Sequence, residues 1–240
     1  MIFSEYDIEG ISVIDFVNMD NLVQHSLKNS GIYVSIASEA VINSENHFRE
    51  LTRKPYAFCY PDGFGTVLAI RSKYGKKTLK LAGCEFWLQA LKKSNDKRVA
   101  LVGGKKLVVT KVKDILTSEY QANVCYFSDG YFNDNSQVIE NIRNKNIDIV
   151  IVALGQPKQE MFSEQLFNEC SNLSIFCVGG SFDVLAGTVK RAPKFMVAFN
   201  LEWLYRLLKE PSRIKRQLAI PKMLKWCFKT YINRIFNSIT

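Results

Sequence analysis

The sequence predicts an α/β protein: a doubly wound, mostly parallel sheet followed by a basic helical appendage. Three observations predict it. Short apolar runs rich in Val, Ile, Phe and Tyr alternate with amphipathic segments of helical length, the pattern of repeated strand-helix units. Some runs are continuously apolar, IDIVIVAL at 147–154 being the clearest, as strands buried on both faces require. Most of the runs also end in glycine-bearing loops.

In chain order the predicted strands are IYVSIA at 32–37, YAFCY at 56–60, RVALVG at 98–103, NVCYFS at 123–128, IDIVIVAL at 147–154 and LSIFCVGG at 173–180. Between them, 38–53, 80–93, 106–119, 135–145 and 158–170 have the length and polarity of helices. In such a sheet ligands bind beyond the carboxyl ends of the strands. The residues found there are YPDGFG from Tyr60, VGGK from Val102, SDGYF from Ser128, LGQPKQE from Leu154 and VGGSFD from Val178. None is a GxGxxG fingerprint or a P-loop. A glycine ending one strand is ordinary, whereas five such loops at one edge point to a nucleotide-type ligand.

Charge divides the chain. The formal total is +9, yet residues 190–240 carry 12 Lys and Arg against Glu202 and Glu210, leaving residues 1–189 at −1. We therefore expect a core over 1–189 and an appendage over 190–240, and expect a cut near Lys190 to leave a folded core. The appendage also holds eight aromatic residues. Its predicted helices are 195–209, with Met196, Phe199, Trp203 and Leu207 at helical spacing, and a second from Pro221. The second sets Ile220, Leu224, Phe228, Tyr231, Ile235 and Ile239 on one side and Lys222, Lys225 and Lys229 roughly opposite. That layout fits an interfacial helix or an amphipathic helix packed on the core.

The longest stretch free of charge is the 13 residues Cys170–Phe182, short of the roughly 18 a membrane span needs. The acidic start MIFSEYDIEG lacks the features of a secretory signal, so a cytoplasmic protein is expected. Six cysteines without CxxC spacing argue for reduced thiols and against structural zinc. His25 and His47 are expected to face solvent, and no metal site is expected.

Two loops carry candidate chemistry. Asp62 lies in Pro-Asp-Gly at a strand end, where it is either a turn aspartate or a general base for a hydroxyl. Gln159 and Glu160 follow Gly155 at a helix start, placed to hydrogen-bond a sugar or nucleotide, or simply favoured there by the helix dipole.

With PDGFG at 61–65, DGYF at 129–132, DIVIVALGQPKQE at 148–160, GGSFDVLAG at 179–187, RAPKF from Arg191 and LEWLYRLLKEPSRIKR at 201–216, the sequence resembles the WecG/TagA/CpsF family of bacterial glycosyltransferases along most of its length. The resemblance implies a Rossmann-like core that transfers a sugar from a UDP-sugar to a polyprenyl-diphosphate-linked saccharide. Transfer would invert the anomeric carbon and need neither metal nor cofactor. It implies Asp62 as the base and Ser35, with Glu39 keeping the pattern, at the position of a site-lining threonine. Ala37 stands where the family usually has asparagine. Gly104, Tyr131, Gly155, Gln159 and Glu160 fall to substrate binding, as do Arg206, Arg213 and Arg216 of the appendage.

Two features agree with that reading. The sequence has no Asp-x-Asp to hold a divalent cation, and arginines can balance the charge on a departing diphosphate instead. The basic, aromatic tail suits the anionic cytoplasmic face of the inner membrane, where a lipid-linked acceptor lies. Self-association is left open. A nucleic-acid-binding tail is the main alternative, although its long aliphatic face argues against that partner. A soluble UDP-sugar-modifying enzyme is the other.

Overall fold

The computed structural model describes residues 3–94, 96–193, 195–196, 201–209, 211 and 214–237. It opens with an antiparallel hairpin, β1 (Ser4–Ile8) and β2 (Ile11–Asp15), which the sequence reading does not anticipate. Its turn residues Glu9 and Gly10 both take positive φ, 53° and 83°, the backbone hand that matches strand twist in a two-residue hairpin. Helix α1 (Met19–Lys28) follows, started by Asn18, whose side chain accepts the Asn21 N–H at 2.9 Å.

Six strands then form one all-parallel sheet: β3 (Gly31–Ile36), β4 (Ala57–Pro61), β5 (Arg98–Gly103), β6 (Asn123–Ser128), β7 (Ile149–Ala153) and β8 (Ser174–Cys177), in the spatial order β4-β3-β8-β7-β5-β6. These are the six predicted runs. The helices between them are α2 (Ser38–Asn43), α3 (Asn46–Thr52), α4 (Phe64–Tyr74), α5 (Gly83–Lys92), α6 (Lys106–Glu119), α7 (Asn135–Asn144), α8 (Lys158–Glu169) and α9 (Ser181–Leu185). The predicted helix 38–53 is broken at Ser44 and Glu45 into α2 and α3.

Alternation along the strands sorts the core into two. Ile32, Val34, Ile36, Val150 and Val152 face the layer that holds α2, α3, α7 and α8. Tyr33, Ile149 and Ile151 face the layer that holds α1, α5 and α6. Helices therefore cover both faces, as a doubly wound sheet requires. His25 belongs to the second layer, which corrects the expectation that it faces solvent. Its ring sits among Phe3, Phe16, Tyr33 and Phe58 and its Nδ1 is 2.9 Å from the Tyr33 hydroxyl. His47 is half-exposed and pairs with Glu164 at 3.0 Å.

The tail contributes α10 (Glu202–Lys209), α11 (Ile214–Gln217) and α12 (Ala219–Asn237). No helix among the described residues is long and apolar enough to cross a membrane. Helix α12 lies against α2 and α4. Met223 packs at Gly65, and the Arg234 guanidinium lies where a Cβ on Gly75 would be, so α12 and α4 run in the same direction. Gly75 ends α4 in the left-handed region, the usual role of glycine there, and here it also makes room for Arg234. The Trp226 indole donates to Glu9 of the hairpin at 2.8 Å.

The stripe that docks is not the one the periodicity picks out. Ala219, Met223 and Cys227 are buried in the core, while Leu224, Phe228 and Tyr231 are 46%, 70% and 43% exposed. Ile239 lies outside the described residues. Met223 and Cys227 belong to the main core cluster, so α12 shares a core with residues 1–189.

Met223→Ala is accordingly expected to cost about 2 to 5 kcal/mol in denaturant unfolding. Phe228→Ser, on the exposed stripe, should change stability by no more than about 0.5 kcal/mol. Equal effects from the two would mean that α12 docks through another face.

Candidate active site

Because all six strands run the same way, the loops after them meet at one sheet edge. Two groups of residues collect there. The first stands at β3 and β4, where Ser35 is the register partner of Tyr60. Asp62, one residue beyond β4, is tied back by its N–H to the Ile36 carbonyl at 2.9 Å.

The Asp62 carboxylate reaches across to α5, where its Oδ2 accepts the Gly83 N–H at 3.2 Å. Ala82, the residue before that helix, offers no side-chain cap, so Asp62 supplies one from a distant part of the chain. A carboxylate at a helix N-terminus is favoured both by the exposed N–H groups and by the helix dipole. The chain between α4 and α5 is held alongside by Leu81 N–H donating to the Pro61 carbonyl at 2.9 Å.

Gly83 lets these groups converge. A Cβ there would sit 3.1 Å from Asp62 Oδ2, 3.1 Å from the Tyr60 hydroxyl and 3.3 Å from Ser35 Cβ. Tyr60 is buried, and burial together with the Asp62 charge pushes its phenol well above the ordinary range, so it stays protonated. Ala37, in the position where the resembling family has asparagine, is exposed and faces Gly63.

Tyr60 and Gly83 were not picked out from the sequence. A signal existed for the first, since strand alternation places a residue two before Asp62 on the same side. For Gly83 none did, because its partners are 21 residues or more away in the chain.

The second group stands at β5 and β7. From β5 the chain moves outward to β6, and from β7 it moves the opposite way to β8, so the crevice between β5 and β7 is a topological switch point. Gly104, with φ of 68°, accepts the Gly130 N–H at 2.9 Å. Lys158 donates to the Gly130 carbonyl at 3.2 Å, and the Tyr131 ring projects outward, 72% exposed. Gly155 has open space where a side chain would be. Lys105 and Lys106, both exposed, stand at the uncapped start of α6. At this edge Gly130, next to Tyr131, meets both Gly104 and Leu154, the neighbour of Gly155.

Gln159 and Glu160 are placed otherwise. They are 4% and 1% exposed, and their side chains bond to each other and to the Gly179 N–H. Helix periodicity turns both toward the sheet, because β7 and β8 lie beneath the first turn of α8.

A third element reaches the edge from the tail. Arg191 pairs with Glu85 in the first turn of α5, and the charge of Glu202 at the start of α10 acts on Arg191 and Cys84. The appendage therefore begins beside the Asp62 group. Burial pushes the Cys84 thiol up to about 11, with Arg191 opposing and Asp62 adding to the rise, so this cysteine is a protonated packing residue. Arg213 lies outside the described residues; Arg206 is in α10 and Arg216 in α11, and their side chains likewise lie outside the description. Among the described residues no group of three or more His, Cys, Asp or Glu is placed to hold a metal ion.

Residues 6–236, nearly the whole chain, match the sequence model of the glycosyl transferase WecG/TagA/CpsF family. The chain belongs to that family. The match runs through the hairpin, the sheet and α12, so the tail helix that completes the core is part of the family unit. Membership makes the protein a glycosyltransferase.

Gly83→Ala tests the convergence directly. The added methyl would press on Asp62, Tyr60 and Ser35 together, each of which would have to give by a few tenths of an ångström, and turnover is expected to fall about three- to tenfold. The melting temperature should fall little, because helix starts accept alanine. Unchanged turnover would mean that these four residues are not the reacting centre.

Proposed function

We propose that this glycosyltransferase moves a sugar from a UDP-sugar to a polyprenyl-diphosphate-linked saccharide, with Asp62 as general base. The observation that carries the reading is the Asp62 carboxylate held at the N-terminus of α5 with Ser35 and Tyr60 beside it. The acceptor hydroxyl loses its proton to Asp62 as its oxygen bonds to the anomeric carbon. The bond from that carbon to the β-phosphate oxygen breaks on the opposite face, and UDP leaves with the electron pair. Configuration is thereby inverted.

The donor fits the β5–β7 crevice. Exposed N–H groups at the start of α6, with Lys105, Lys106 and Lys158 nearby, suit a diphosphate. Tyr131 offers a face for the uracil ring. Arg206, Arg213 and Arg216 are assigned to the developing charge on the diphosphate, for which a planar guanidinium that binds two oxygens is better suited than lysine. No metal is called upon.

The acceptor's lipid requires a surface, and α12 supplies one. Its exposed Leu224, Phe228 and Tyr231 form an apolar stripe suited to the headgroup layer, with exposed Lys222, Lys225 and Lys229 on the polar side of the helix to reach anionic lipid. Because Met223 packs at Gly65, three residues from Asp62, the N-terminal end of that stripe adjoins the reacting centre. Exposed Phe64 and Leu218 extend the apolar rim there.

Asp62→Asn retains an oxygen for the Gly83 N–H, so the fold should persist while turnover drops by roughly 10² to 10⁴. Assays with a panel of UDP-sugars and a short-chain lipid-diphosphate acceptor, in excess chelator, would measure this. Near-normal turnover would remove Asp62 as the base. Leu224→Ser with Phe228→Ser should abolish sedimentation with anionic vesicles yet leave transfer to a detergent-soluble short acceptor intact. Retained sedimentation would dismiss α12 as the membrane contact.

A further inference from the structure

The two polar residues buried at the start of α8 have no part in the chemistry above, yet they form a directed chain. The Gln159 Nε2 donates to Glu160 Oε1 at 2.8 Å, and the Gly179 N–H donates to Gln159 Oε1 at 3.0 Å. A carboxylate oxygen only accepts. Glu160 therefore obliges Gln159 to turn its NH₂ inward and its carbonyl toward Gly179. With the amide reversed, an NH₂ would oppose the Gly179 N–H and both donors would be lost.

Gly179 starts the turn after β8, and β8 lies between β3 and β7 in the sheet. The turn therefore stands midway between the Ser35–Asp62 group and the Gly155 loop. A Cβ on Gly180 or Gly155 would meet nothing within 4 Å, so the space above the turn is open to a ligand.

Keeping Glu160 in the interior is costly. Its Oε2 has no hydrogen-bond partner among the described residues. Burial pushes its carboxyl up from the ordinary range, opposed by Gln159, its own backbone and Gln156. A carboxyl raised on folding makes the protein less stable as pH climbs from about 4.3 through the raised value, because the unfolded chain ionises first. Replacement by Gln should abolish that decline.

We propose that Glu160 is a positioning residue, which fixes the Gln159 amide and through it the Gly179–Gly180 turn that receives the sugar-bearing phosphate of the donor's diphosphate. The identity of that ligand rests on the transfer reaction proposed above. The relay itself does not.

Amide hydrogen exchange at Gly179, followed by NMR, tests the relay without substrate, and calorimetric titration with UDP tests its purpose. Glu160→Met keeps the side-chain length and removes the acceptor. It should speed exchange at Gly179 at least tenfold and weaken UDP binding about tenfold. Glu160→Gln keeps an oxygen for Gln159 and should rescue both readouts to within about threefold. The exchange of roles, Gln159→Glu with Glu160→Gln, rebuilds the chain in reverse and should rescue them as well. Slow exchange at Gly179 in Glu160→Met, or exchange in Glu160→Gln as fast as in Glu160→Met, would overturn the proposal. Should Glu160→Met not fold, protection lost in Gln159→Met and kept in Glu160→Gln supports the relay, and any other pairing overturns it. If the wild-type protein binds no UDP while the exchange pattern holds, the donor assignment fails and the relay stands.

Discussion

Everything at the candidate site follows from the direction of the sheet. Six parallel strands oblige the chain to return to the same end after each one, so six loops open at one edge however far apart they are in sequence. Asp62 and Gly83 meet there across a helix and a loop, and Gly104, Gly130 and Leu154 meet across two crossovers. Reversal of a single strand would carry its loop to the far edge. The price is that each loop must be short, and glycine is what lets several of them bend back over a strand end.

The order of the strands then divides the edge. The β4–β3 side carries a carboxylate capped by a helix N-terminus, a hydroxyl and a buried phenol. The β5–β7 side carries glycines, lysines and an exposed aromatic ring. The first environment suits proton transfer and the second suits an anionic ligand, with the β8 turn between them.

Much of this was legible in the sequence. All six sheet strands were recoverable, because a strand buried on both faces leaves an uninterrupted apolar run, and α6 was recoverable with both its ends. The hairpin and α4 were not. β1 and β2 are only five residues each and β1 is largely exposed, while α4 starts within PDGFG, whose glycines read as loop. Asp62 was found because it belongs to a turn at a strand end, whereas Gly83 acts by what it lacks and leaves no local trace. Position marks Gln159 and Glu160 but not their burial, since a first-turn residue next to a strand loop can face the sheet as readily as the loop. For α12, periodicity located the apolar side but not which part of it is covered. The docked stripe, with Ala219 and Cys227, is the less hydrophobic of the two, and packing at Gly65 and Gly75 selects it by shape.

The contact between Met223 and Gly65 also bears on how the protein is made. A ribosome delivers the chain from its N-terminal end, and most domains can begin to fold as they emerge. Here the layer under α4 lacks two of its core side chains until residues 223 and 227 have left the exit tunnel. Until then an apolar trough stays exposed beside Asp62. The core of such a nascent chain is completed only when α12 has emerged.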